Sequence, residues 1–141
     1  MFQTMSNASA AYTRVGLDMG VEVANSHKLI LMLYDGALLA LATAQSCLDK
    51  GDKMAMSKEI MKASNIIAQG LRDSVDQKVG GDLAERLAAL YDYMSVRLQF
   101  ANIRCDKKII GEVSGLLQEL RGAWEEIAKD PSVVSDSRRA A

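Results

Sequence analysis

The chain has 141 residues, a net charge of −1 and one histidine. That length suits one domain whose core can fold without disulfides or metals, and the near-zero charge excludes the basic field of a nucleic-acid binder. One proline, few aromatic residues and abundant alanine, leucine, methionine, lysine and glutamate point to an all-helical chain.

The N-terminal stretch "MFQTMSNASAAYTR" has no basic start followed by an apolar run, so no signal peptide is expected. Residues 1–25 hold a weak apolar pattern of Tyr12, Val15, Met19, Val21 and Val23, interrupted by Gly16 and Gly20. Each glycine costs up to about 1 kcal/mol within a helix. These residues therefore read as an N-terminal arm, or a short helix, that orders only by docking.

The first long helix starts at Ser26, a good N-cap residue, and runs to about Lys50, where Gly51 stops it. From Leu29 to Ala42 its only charge is Asp35. Leu29 to Leu48 has the length of a membrane span, but Asp35 costs roughly 3 kcal/mol on insertion. The second helix runs from about Lys53 to Val75 with Met56, Ile60, Ala63, Ile67, Leu71 and Val75 on one face. "QKVGG" breaks the chain. Asp82 and Glu85 resemble a capping pair for the third helix, whose inner face carries Leu83, Leu87, Leu90, Met94, Leu98 and Ala101. After "NIRCD", the fourth helix carries Ile109, Ile110, Val113, Leu116, Leu117, Leu120, Trp124 and Ile127, and Pro131 ends it. The tail, 130–141, is polar and expected to be disordered.

Four helices of matched length, each about 35 Å long, joined by short loops, predict an antiparallel up-down four-helix bundle over residues 26–129. Three of them need a fourth apolar partner. Only Leu29 to Leu48 supplies it, so no stable membrane insertion is expected.

Little in the sequence supports catalysis. His27, in the first turn of a helix, reads as a solvent-exposed residue rather than a metal ligand or a phosphotransfer histidine. No paired Glu-x-x-His motif, phosphate loop or nucleophile with a base is present. No cofactor and no metal are expected. Cys47 and Cys105 lack a pairing motif, which fits a reducing cytosol; Cys47, in an apolar run, reads as a small buried side chain.

The first helix is apolar nearly all round. A bundle helix needs about three apolar positions in seven, and Ile30, Leu33, Ala37, Leu41 and Ala44 already satisfy that. Leu29, Leu31, Met32, Leu38 and Leu39 are surplus. Left bare, they form a larger patch than a soluble monomer shows. The arm, another copy of the chain or a different protein would cover it, unless all of it is core. A groove under a weak arm suggests exchange, in which a client helix displaces the arm.

"AY" at Ala11–Tyr12, "VEVANSHKLILMLYDGAL" at Val21 to Leu38, "GGDLAERLAALYDYM" at Gly80 to Met94, "LQFAN" at Leu98 to Asn102 and "AW" at Ala123–Trp124 together resemble the flagellin export chaperone family, FliS. The likeness runs from about Ala11 to Ile127. It departs at His27, where the family usually has proline. The resemblance implies a cytosolic, non-enzymatic chaperone for type III export. Such a chaperone binds the disordered C-terminal segment of flagellin, prevents premature polymerisation and works with components of the flagellar export gate. It also implies that the arm occupies part of the client groove when that groove is empty.

The client-binding residues expected on these grounds are Tyr12, Val15, Leu29, Met32, Tyr34, Asp35, Leu38, Leu39, Tyr91, Asp92 and Asn102. The expected state is a monomer or weak homodimer. The alternative is a helical regulatory adaptor for another flagellar protein.

Overall fold

A computed structural model describes residues 26–78 and 81–128. The expected arm, the expected tail, Tyr12, Val15 and Pro131 lie outside the described residues. Those described are helical, with no strand among them: α1 (Ser26–Asp49), α2 (Lys53–Asn65), a π-helical turn (Ile66–Leu71), α3 (Arg72–Lys78), α4 (Gly81–Arg104) and α5 (Lys107–Ala128). Backbone at Asn65, Ile66 and Arg72 stays right-handed helical, so α2, the π turn and α3 form one rod. The described residues thus make four rods.

The connections follow local chemistry. Gly51 ends α1 with φ of 76°, a left-handed conformation that costs glycine nothing. Its N–H and that of Asp52 reach back to the carbonyls of Leu48 and Cys47, both at 2.9 Å. The Asp52 carboxylate then caps α2 by accepting from Ala55 N–H at 3.1 Å. Asp106 does the same for α5, accepting from Lys108 N–H at 2.9 Å. Asp82 lies within the first turn of α4 rather than ahead of it, where its charge favours the helix dipole.

The core is one cluster drawn from all four rods, with Leu41, Met56, Ile60, Ile67, Leu71, Met94, Leu98, Ile110 and Leu117 fully enclosed. Packing joins α1 to α2 and α5, and α4 to α5, α3 and α2. Along α1, His27 meets Trp124, Asp35 meets Arg121 and Asp49 meets Lys107, so α1 and α5 run in opposite senses. At Gly70 the π turn approaches α1 so closely that a Cβ there would lie 3.0 Å from Leu33 Cδ2. Cys47 is half-buried against the core, less enclosed than its apolar run predicts.

Two expected inner residues are solvent-exposed. Leu83 and Ile127 belong to the first turn of α4 and the last turn of α5, where a rod runs out of neighbours. By length and composition α1 could cross a membrane, yet it supplies eight buried residues to the interior. That is the signature of a core helix.

His27 corrects the sequence reading. It is 6% exposed, because α5 is long enough to bring Trp124 over the first turn of α1. The two rings stack with centroids 4.6 Å apart and 11° between planes, and the indole N–H donates to the His27 carbonyl at 3.1 Å. Burial lowers the imidazole pKa below its ordinary 6.5. The neutral ring is therefore the folded form, so stability is full above the ordinary value and falls as pH drops below it. Melting between pH 7.5 and 5.5 is expected to show this loss. His27→Phe, which keeps a stacking ring without a titrating group, is expected to reduce the slope; an unchanged slope would assign the acid sensitivity elsewhere.

Candidate functional site

α1 divides into three zones. Ile30, Leu33, Ala37, Leu41 and Ala44 are buried, as their spacing predicts. Leu29, Leu31 and Met32 are half-buried, and Leu38 packs against the core from its edge. Leu39 alone among the surplus residues stands well out, at 68% exposure. Exposed Lys28, Asp35, Ala42 and Ser46 share its side of the helix. The outer face is therefore a partly sunken apolar strip, interrupted by charge, rather than a bare leucine patch.

The two Tyr-Asp pairs come together at the centre. Tyr34 on α1 and Tyr91 on α4 are buried, and their hydroxyls share a 2.6 Å hydrogen bond. Burial raises both phenol pKa values. At Tyr91 the charge and hydrogen bond of Tyr34 raise it further, whereas at Tyr34 the bond acts in the opposite sense. Both remain neutral at physiological pH. Beside them, Asp35 takes a forked contact from Arg121 at 2.6 and 3.4 Å, and Asp92 takes one from Arg72 at 2.7 and 3.4 Å. These ion pairs are solvent-exposed and each contributes about 0.2–1 kcal/mol. The tyrosines thus pin α1 to α4, while the aspartates tie each of those rods to a neighbour.

A half-open pocket of about 30 Å³ borders the tyrosine pair, lined besides them by Ile30, Leu71, Ser74, Val75, Leu87 and Trp124. That volume admits a water or a methyl group. Among the described residues, no group of three His, Cys, Asp or Glu side chains could hold a metal ion.

The structure joins the two motifs through Tyr34 and Tyr91, while Asp35 and Asp92 turn to Arg121 and Arg72 on other rods and Leu38 packs at the core's edge. Leu29 and Met32 lie in the first turns of α1, and Leu39 on its outer side. Asn102 is half-buried near the far end of α4. A second apolar strip, Tyr93, Val96, Phe100 and Ile103, is exposed on α4 and was not among the expected residues. Its spacing of three, four and three was legible, but it belongs to the face opposite the core series. The tyrosine pairing also left a signal. Leu-Tyr-Asp recurs 57 residues on, and the same offset matches Leu41 to Leu98, Ala44 to Ala101 and Asp49–Lys50 to Asp106–Lys107.

Fold and surface define a helical protein whose exposed features are apolar strips and ion-paired pins. The family described as flagellar protein FliS matches residues 7–131. The chain is similar to the flagellar secretion chaperone FliS of Salmonella typhimurium, 44% identical over 86% of this chain and 90% of that protein. It is likewise similar to the flagellar secretion chaperone FliS of Escherichia coli, 35% identical over 93% and 96%, and to that of Bacillus subtilis, 34% identical over 75% and 77%. The chain belongs to the FliS family of flagellar proteins.

Proposed function

We propose that this protein is a cytosolic, non-enzymatic flagellar secretion chaperone. It holds the disordered C-terminal segment of flagellin against its helices, prevents premature polymerisation and aids delivery to the export gate. The observation that carries this reading is near full-length similarity to proteins named flagellar secretion chaperones.

In this reading residues 26–129 form an up-down bundle, residues 1–25 an arm that occupies the groove until the client arrives, and residues 130–141 a tail. The opposed pairing of α1 with α5 supports the bundle arrangement. Leu39 is the first apolar contact for the client; Leu29, Met32 and Leu38, already half-buried, line the floor beneath it. Tyr12 and Val15 belong to the arm that gives way. Tyr34 and Tyr91 fix the separation of α1 and α4. Asp35, Asp92 and Asn102 supply polar groups to the client backbone at the margins.

A disordered client loses conformational entropy on binding, so the contact must be long and largely apolar. Burying one leucine contributes about 2 kcal/mol. Leu39→Glu and Met32→Glu are each expected to weaken flagellin binding by at least about tenfold without changing helical content by circular dichroism. Unchanged affinity in both variants would move the binding site off α1.

A further inference from the structure

Leu117 is the last enclosed residue of α5, and no described side chain beyond it is buried. From there the helix holds to the bundle by its rim. Leu120 packs at the edge of the core. Arg121 makes its solvent-exposed fork to Asp35, and Trp124 stacks on His27 and donates to its carbonyl. Glu125 pairs with Arg121 on the same helix, so that contact moves with the segment. The stretch is also weak as a helix. A Cβ at Gly115 or Gly122 would stand in open space, so no close approach calls for glycine there and each only lowers helix propensity. Gly70 is the contrast, with Leu33 pressed against it.

Trp124 forms one wall of the half-open pocket. The other walls come from the three remaining rods, through Ile30 on α1, Val75 on α3, Leu87 on α4 and the tyrosine pair. Those rods are tied to one another without α5: Tyr34 bonds Tyr91 across α1 and α4, and Arg72 pairs with Asp92 across α3 and α4. The wall supplied by α5 is therefore the one that can leave. We propose that α5 beyond Leu117 is a lid, which lifts from the end of the bundle ahead of global unfolding, with Trp124 as its latch and the pocket beside the tyrosine pair as the space it uncovers. Segments that open in this way are those with few buried contacts, and here thin packing and helix-weakening glycines fall on the same stretch. Closed, the pocket has room for a water or a methyl group. With the indole withdrawn, it becomes an apolar cleft with room for a side chain of that size.

Hydrogen exchange of the full chain, read by mass spectrometry without flagellin, tests the lid separately from the chaperone reading. Acrylamide quenching of Trp124, the single tryptophan, reports on the latch. Amides of 119–127 are expected to exchange at least about tenfold faster than those of 110–117 in the same helix. Gly122→Ala, whose added methyl group meets nothing, is expected to slow exchange of 119–127 about fivefold and to reduce the quenching. Trp124→Ala is expected to speed exchange of that segment while the inner turns of α1 and α4 stay protected. Equal exchange along 110–127 would overturn the proposal, because α5 would then open only with the whole bundle. Fast exchange confined to residues after Trp124, with the indole unquenched, would be the fraying of a helix end and would equally overturn it. So would exchange of 119–127 that Gly122→Ala leaves unchanged.

Discussion

Leu33→Glu is expected to abolish the cooperative folded state. Leu33 is 2% exposed on the inner face of α1, and its methyl groups meet the π turn at Gly70, where a Cβ would have 3.0 Å of room. No space remains for a carboxylate to turn outward. A buried, unpaired charge costs several kcal/mol after relaxation, added to about 2–5 kcal/mol for the lost leucine packing. A domain of this size has about 5–15 kcal/mol in total, so the substitution consumes most or all of it. Thermal melting by circular dichroism makes the check, with Leu39→Glu as control. That position is exposed, so its stability effect should stay within about 0.5 kcal/mol. A sharp melt of Leu33→Glu near the unsubstituted midpoint would mean that the inner and outer faces of α1 are wrongly assigned.

The second large effect concerns the tyrosine pair. Tyr34→Phe or Tyr91→Phe leaves the surviving hydroxyl buried without its partner, at a cost of about 1–3 kcal/mol. The double substitution removes both hydroxyls together and leaves no orphan. It is expected to be markedly less destabilising than the sum of the singles. Chemical denaturation of the four proteins gives the coupling energy directly. Additive effects would show that the 2.6 Å contact does not link α1 and α4. Neither phenol titrates near neutrality, because burial raises both, so this coupling should not vary between pH 6 and 8, unlike the His27 contribution.

The rods were legible because apolar residues recur at three and four positions and because Gly51 marks a helix stop; the caps formed by Asp52 and Asp106 emerge only in the structure. The inner face of α1 was legible for the same reason. What periodicity could not supply was the third dimension. The π turn at Ile66–Leu71 contains Gly70, which closely approaches Leu33, a contact between rods that no local pattern encodes. His27 is covered by Trp124, 97 residues away. Leu38 counted as surplus on a helical wheel, but it packs against the core from the edge. The outer strip of α4 escaped because a charged helix with one good inner series invites no search for another. The aspartates of both Tyr-Asp pairs stood out as motif residues, while their arginine partners, Arg121 and Arg72, come from other rods and have no signature of their own.

The chain is proposed to receive the C-terminal segment of flagellin. Isothermal titration of the full chain with full-length flagellin, and with flagellin lacking that segment, tests it most directly. The predicted result is measurable binding to the full-length protein, with a negative heat capacity change from apolar burial, and no detectable heat with the truncated one. Equal affinity for both would contradict the account, because the helices would then be reading some other part of the partner.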